Sequence, residues 1–124
     1  MGQPDQCEDP AITPSASPEI VVFPAEVDIS CSEPVGKSLL AAFGPGVSLV
    51  IADMSATAYC DSSAIRQLII ANKQAARTGA KLRVVLASPA VRRVLNVLEV
   101  DQLLELYPDL ASALAGASRD LGRA

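Results

Sequence analysis

The sequence predicts a single α/β domain, in which about four strands form a mixed, mainly parallel sheet packed with about four helices. Short β-branched runs alternate with amphipathic stretches along most of the 124 residues, as expected when helices connect parallel strands. Half of the residues are hydrophobic but only 3% are aromatic. The core is therefore built from Val, Ile, Leu and Ala, and this length can bury it without a metal or a disulfide.

The N-terminal part contains the first predicted strand and helix. Residues 1–18 carry four prolines among polar residues and are predicted to form a flexible tail. Residues 19–23 form a β-branched run that Pro24 ends or bends. A helix start signal follows at residues 32–34, and apolar residues at helical spacing continue until the Gly-Pro-Gly of residues 44–46.

The central part alternates strand, helix and strand. Residues 47–52 are almost continuously apolar, which is typical of a strand covered on both faces. Residues 63–78 show apolar positions at helical spacing, and Gly79 is suited to end that helix. Residues 81–86 are predicted to form the next strand.

The C-terminal part repeats this alternation. Ser88 is predicted to cap a helix with Pro89 in its first turn, and apolar residues lie on one helix face as far as residue 98. A short strand over residues 103–107 leads into a helix over residues 110–114. Residues 116–124 are predicted to be a frayed C-terminal tail, so the domain spans residues 19–115.

Composition excludes several classes of function. The formal net charge is −4 and there is no histidine, so nucleic-acid binding, histidine catalysis and histidine-ligated metals are not expected. The cysteines Cys7, Cys31 and Cys60 lack paired spacing, so neither a disulfide framework nor a zinc site is predicted. Without an apolar run of membrane-spanning length or a secretion signal, we expect a cytoplasmic protein without a cofactor or membrane contact.

The most informative stretch is Asp61-Ser62-Ser63, between a predicted strand and a long helix. A serine at a helix start lies where unpaired N–H groups and the helix dipole favour either a capping hydroxyl or a phosphate. Both interpretations, an N-cap and a phosphorylated switch serine, remain open from the residues alone. The loop over residues 53–62 is expected at the sheet edge where sites usually form in parallel folds.

Four segments together carry a family resemblance. In order and spacing they resemble the STAS domain of bacterial anti-sigma-factor antagonists, across residues 19–115. The segments are Ala25-Glu26-Val27-Asp28, Asp53-Met54-Ser55, Cys60-Asp61-Ser62-Ser63 and residues 88–95. The resemblance implies that Ser63 is the phosphoacceptor and that Asp28 lies near the phosphorylated loop.

The resemblance also implies a regulatory cycle without catalysis by this chain. The unphosphorylated antagonist captures an anti-sigma factor and frees a sigma factor; that anti-sigma factor is also a serine kinase, and a phosphatase resets the switch. The antagonist is expected to be a monomer or a weak dimer. The partner-binding residues it implies are Asp28, Asp61, Ser62, Ser63, Ala64 and Arg66.

Two departures and one alternative accompany the resemblance. Ala64 and Arg66 stand where the family usually has glycines, and Arg66 is either an outward-pointing residue that alters partner choice or an ordinary solvated one. The alternative function is a STAS-type scaffold without phosphorylation control, redox-responsive through Cys60 or Cys31. Cys60 is interpreted first as a small buried hydrophobe and second as a reactive thiol. A nucleophilic enzyme is disfavoured, because no histidine base or phosphate-binding loop is present.

Overall fold

A computed structural model describes residues 18–115, so the two predicted tails lie outside it except for Pro18. Strands and helices alternate as the sequence predicts. The elements are β1 (Glu19–Val22), β2 (Glu26–Val27), α1 (Ser32–Ala41), β3 (Leu49–Met54), β4 (Tyr59–Cys60), α2 (Ser62–Thr78), β5 (Lys81–Leu86), α3 (Pro89–Val97), a 3-10 turn (Val100–Gln102), β6 (Glu105–Tyr107) and α4 (110–115).

The main sheet has four strands in the order β1-β3-β5-β6, and every neighbouring pair is parallel. This confirms the predicted α/β class and the parallel sheet. The central apolar strand lies two residues later than predicted, at Leu49–Met54, after a turn in which Gly46 has a positive φ of 81°.

A second, two-stranded parallel sheet joins β2 to β4. The prediction of an uninterrupted loop over residues 53–62 was wrong at this point. The amide groups of Ala58 and Asp61 donate to the carbonyls of Ala25 and Val27, at 2.8 and 3.1 Å. A pair of two-residue strands has no measurable periodicity, so the sequence pattern could not reveal it.

The two faces of the main sheet are covered differently. One face, with α1, α2 and α3, holds the larger core, which includes Val50, Ala52, Met54, Leu82, Val84 and Leu86. The opposite face packs the alternate strand residues Ile51 and Val85 against Ala113 of α4. The side chains of consecutive strand residues point to opposite faces, which is why the near-continuous apolar run is required.

Arg83 of β5 is buried on the α4 face, with 1% of its surface exposed. Its guanidinium donates to the Glu105 carboxylate at 3.0 Å and to the Ala113 carbonyl at 3.1 Å, and lies 5.5 Å from the centre of the Tyr107 ring. A buried charge requires partners of this kind. The arginine therefore joins β5 to both β6 and α4.

The predicted ends of two helices are confirmed. Gly79 adopts the left-handed conformation that ends α2, with φ 77°. Ser88 precedes α3, and its hydroxyl accepts a hydrogen bond from the Val91 amide at 3.3 Å, with Pro89 as the first helical residue. These local signals depend on backbone conformation alone, so the sequence could specify them.

Candidate functional site

The start of α2 is organised by Asp61, which is the N-cap residue and has an extended backbone. One carboxylate oxygen accepts from the Ser63 amide at 2.9 Å and from the Ser63 hydroxyl at 2.5 Å. The interpretation of a serine as the cap was therefore wrong. Ser62 and Ser63 are already helical, and the cap must come from the residue before the helix.

The Asp61 carboxyl has a lowered pKa. The hydrogen bond from the Ser63 hydroxyl is the main cause, and the amides of Ser63, Ala64 and Ile29 add to it, while desolvation opposes it. Bonds donated to a carboxylate favour its charged form. A negative charge is therefore held beside the Ser63 hydroxyl at neutral pH.

Another turn of the same kind lies beside the turn formed by residues 61–63. The Asp28 carboxylate accepts from the Ser30 amide at 2.9 Å and from the Ser30 hydroxyl at 2.5 Å. Between those residues, the amide of Ile29 contributes to the lowered pKa of Asp61. We call residues 28–30 the first turn and residues 61–63 the second turn.

The pairing of β2 with β4 brings the two turns together. Val27 lies opposite Cys60 in that small sheet, so the residues that follow, Asp28 and Asp61, leave it side by side. The structure thus places Asp28 near the serine pair, in the arrangement that the resemblance implied. At the end of β3, the Asp53 carboxylate accepts a hydrogen bond of 3.0 Å from the Ser55 amide, which forms a third turn.

The other predicted contact residues differ in exposure. Ser62 and Arg66 are exposed, and Ser63 is half-buried. Ala64 is completely buried in the main core, so its side chain offers no surface to a partner. The prediction that Ala64 contacts a partner does not fit this burial, because the first residue after the serine pair turns inward.

The two described cysteines have different surroundings. Cys60 is buried, and burial raises the pKa of its thiol; the charge of Asp61 raises it further. Cys31 is half-buried and its thiol donates to the Glu26 carbonyl at 3.5 Å. The surroundings of Cys60 favour the interpretation of a small buried hydrophobe and oppose thiolate formation; Cys7 lies outside the described residues.

Two exposed apolar side chains border the turns and were not singled out by sequence reasoning. Ile29 is 81% exposed at the centre of the first turn, and Tyr59 is 53% exposed on β4. Isolated apolar residues of this kind form no periodic pattern. Their position beside the serine pair becomes visible only in the folded chain.

The described part of the chain can also be compared with the requirements of a metal site and of a membrane-spanning helix. Residues 18–115 contain no group of three or more Cys, Asp or Glu side chains placed to hold a metal ion. Over the same residues, no helix has the length and apolar character needed to cross a bilayer.

Comparison with known proteins gives a family and a fold. The family model described as the STAS domain matches residues 11–113. No curated protein matches the sequence significantly.

Among solved structures, the chain is similar to a Thermotoga maritima protein named as an anti-sigma factor antagonist, with a TM-score of 0.67 and 19% identity, covering 78% of this chain and 86% of that one. A sulfate transporter family protein from Wolinella succinogenes gives a TM-score of 0.72 at 17% identity, covering 82% and 84%. The murine anion transporter Slc26a9 gives a TM-score of 0.68 at 19% identity, covering 82% of this chain but 18% of the transporter.

Proposed function

The chain belongs to the STAS domain family, and on that premise we propose that it is an anti-sigma-factor antagonist switched off by phosphorylation of Ser63. In the unphosphorylated state it captures an anti-sigma factor in the cytoplasm and so releases a sigma factor. The anti-sigma factor acts as the serine kinase, and a phosphatase restores the hydroxyl. This chain performs no catalysis in that cycle.

The observation that carries the proposal is the position of the Ser63 hydroxyl. It lies at the start of α2, held by the ionised Asp61 and beside the first turn. Phosphorylation adds about −1.5 to −2 charges. The helix start can accept that charge, because its N–H groups and dipole favour anions.

The same modification changes the surface that a partner meets. A phosphorylated Ser63 can no longer donate its hydroxyl hydrogen to Asp61, and it places a dianion next to that carboxylate. A partner surface that fits a neutral hydroxyl must then desolvate the phosphate and approach two neighbouring negative groups. The domain remains folded while the affinity falls, which is the behaviour required of a switch.

The direct test combines phosphorylation and binding. Each candidate kinase-type anti-sigma factor is incubated with the protein and ATP, and phosphate is mapped by mass spectrometry. We expect phosphate on Ser63, none in the Ser63→Ala variant, and an unchanged yield in Ser30→Ala, whose serine occupies the same kind of turn. Tight partner binding by Ser63→Glu, equal to that of the wild type, would contradict the switch.

A second function is favoured by the solved structures that are similar in fold. They include a sulfate transporter family protein and an anion transporter as well as the antagonist. The alternative is a STAS scaffold that binds its partner without phosphorylation control, with redox control through Cys60 or Cys31. Absence of phosphate at Ser63, together with loss of binding on oxidation that Cys31→Ser or Cys60→Ser prevents, would favour it.

A further inference from the structure

A groove of about 520 Å³ separates α2 from the corner between α3 and the 3-10 turn. We call it the α2–α3 groove. Its apolar lining is Ile65, Ile69, Ile70, Leu98 and Val100. Ile70 and Leu98 are 39% and 45% exposed, so the groove leaves apolar surface in contact with water.

On another side, α2 packs against α1. A methyl group built on Gly36 of α1 would lie 1.9 Å from the Gln67 side-chain oxygen of α2, so those two helices pack in close contact. The groove is lined by other residues of α2 than Gln67. It ends at Ser62, next to the proposed phosphoacceptor.

Two cations line the groove, Arg66 and Lys73. Because Arg66 and Lys73 are seven residues apart in α2, they lie on one face of the helix, about 10 Å apart along its axis. Both are exposed, and neither forms a hydrogen bond or an ion pair with any residue in the range 18–115. No carboxylate is among the lining residues, although the whole chain has a net charge of −4.

We propose that the α2–α3 groove binds an acidic amphipathic helix of the protein partner, with carboxylates one heptad apart on Arg66 and Lys73. A helix laid along α2 repeats the same spacing, and its apolar residues between the carboxylates cover Ile69 and Leu98. Two cations without neighbouring aromatic residues do not suit a nucleic acid. The identification of this partner as the anti-sigma factor rests on the proposed function. The preference of the groove for an acidic helix does not depend on that function.

The first experiment uses two synthetic 18-residue amphipathic peptides and the full-length protein labelled with ¹⁵N. One peptide carries two glutamates seven residues apart with leucines between them, and the other carries lysines at those two positions. We expect the glutamate peptide to bind at least tenfold more tightly, with chemical-shift changes centred on Arg66, Ile69, Lys73 and Leu98. The double variant Arg66→Glu, Lys73→Glu should reverse the preference.

The matched control is Arg92→Glu, Arg93→Glu, which makes the same change of charge on exposed residues of α3 outside the groove. It should leave the preference intact, and circular dichroism checks that both double variants are folded. Equal binding of the peptides, no binding of either, or reversal by the α3 control would overturn the proposal. Binding to anionic phosphatidylserine vesicles through Arg66 and Lys73 in place of the peptide would overturn it as well.

The second experiment separates the groove from the switch. With an anti-sigma factor that binds the wild type, Arg66→Glu, Lys73→Glu should weaken binding at least tenfold. If Ser63→Glu abolishes binding and the groove variant does not weaken it, the groove proposal fails and the switch stands. If no anti-sigma factor binds but the glutamate peptide still occupies the groove, the proposed function fails and the groove proposal stands.

Discussion

The first turn and the second turn share one hydrogen-bond pattern. In each, an aspartate oxygen accepts from the amide and the hydroxyl of the serine two residues later. Their surroundings differ. Asp61 caps a helix of 17 residues, and the Ile29 amide helps to lower its pKa. In contrast, α1 begins at Ser32 after the first turn, and its N-cap residue Cys31 forms no side-chain hydrogen bond to the helix.

That difference distinguishes what the local sequence specifies, the turn itself, from what a functional site needs in addition. An Asp-x-Ser sequence is sufficient for the local turn, because the side chain reaches its own backbone two residues later. It is not sufficient for a functional site. The second turn starts a long helix and lies beside the Ile29 amide of the first turn, so we expect changes there to exceed the same changes in the first turn.

The largest difference is expected in partner binding. Ser63→Glu should weaken binding to the anti-sigma factor about 100-fold, or about 2.8 kcal/mol at about 1.4 kcal/mol per tenfold, because it adds charge beside Asp61 and removes the donated hydroxyl. Ser30→Glu should weaken it only a few-fold. Isothermal titration calorimetry measures both. Equal losses would show that partner binding does not distinguish the turns.

The cysteine beside each turn provides the next comparison. In a Cys7→Ser background, Cys31 should react with a thiol reagent at pH 8 on the order of tenfold faster than Cys60, because burial and the Asp61 charge oppose formation of the Cys60 thiolate. Peptide mapping after timed labelling gives both rates. Rapid labelling of Cys60 would instead support the redox alternative.

Removal of each aspartate tests the helix cap. Asp61→Ala should lower the Tm by about 4–8 °C, the shift expected when a domain of this size loses one capping interaction. Asp28→Ala should cause a smaller decrease, since its carboxylate caps no helix. Thermal unfolding followed by circular dichroism measures the shifts, and a larger effect at Asp28 would reverse the comparison.

The smallest effect is an acid-dependent part of the stability. The pKa of Asp61 in the folded protein lies below the unfolded value of about 3.9, so its charge stabilises the fold above that value and the contribution disappears as pH falls through the folded pKa. Asp61→Asn should therefore be less stable than the wild type at pH 7, with the difference closing below about pH 4. Asp109, whose pKa is also lowered, is common to both proteins and cancels. If the difference in stability between Asp61→Asn and the wild type did not change with pH, the negative charge of Asp61 would not stabilise the fold.

Sequence patterns predicted most of the fold, because long elements repeat their apolar positions. They located α2, its end at Gly79, and the cap at Ser88. The paired strands β2 and β4 were missed, since two residues carry no period. The choice of Asp61 as the cap depended on which residue is the last before helical geometry begins, and the sequence analysis assigned that position to a serine.

The burial of Ala64 and the α2–α3 groove also required the folded chain. Arg66 and Lys73 are evident as residues on one helix face, but their significance depends on the position of Leu98, 25 residues beyond Lys73. The burial of Arg83 has the same origin, because its partners Glu105 and Ala113 come from other elements. Such contacts depend on the packing of distant segments, which periodicity does not encode.

The sequence by itself determined the α/β class, the parallel strands, the end of α2 at Gly79, the cap of α3 at Ser88 and the place of the serine pair at the start of α2. Each follows from side-chain period or from residues that fix local backbone conformation. Only the tertiary structure decided that the two turns meet, that the Ala64 side chain is buried, and that α2 borders a basic apolar groove. Those properties arise when β2 pairs with β4 and α3 packs back on the sheet, because charge, burial and hydrogen bonding depend on neighbours brought together by folding.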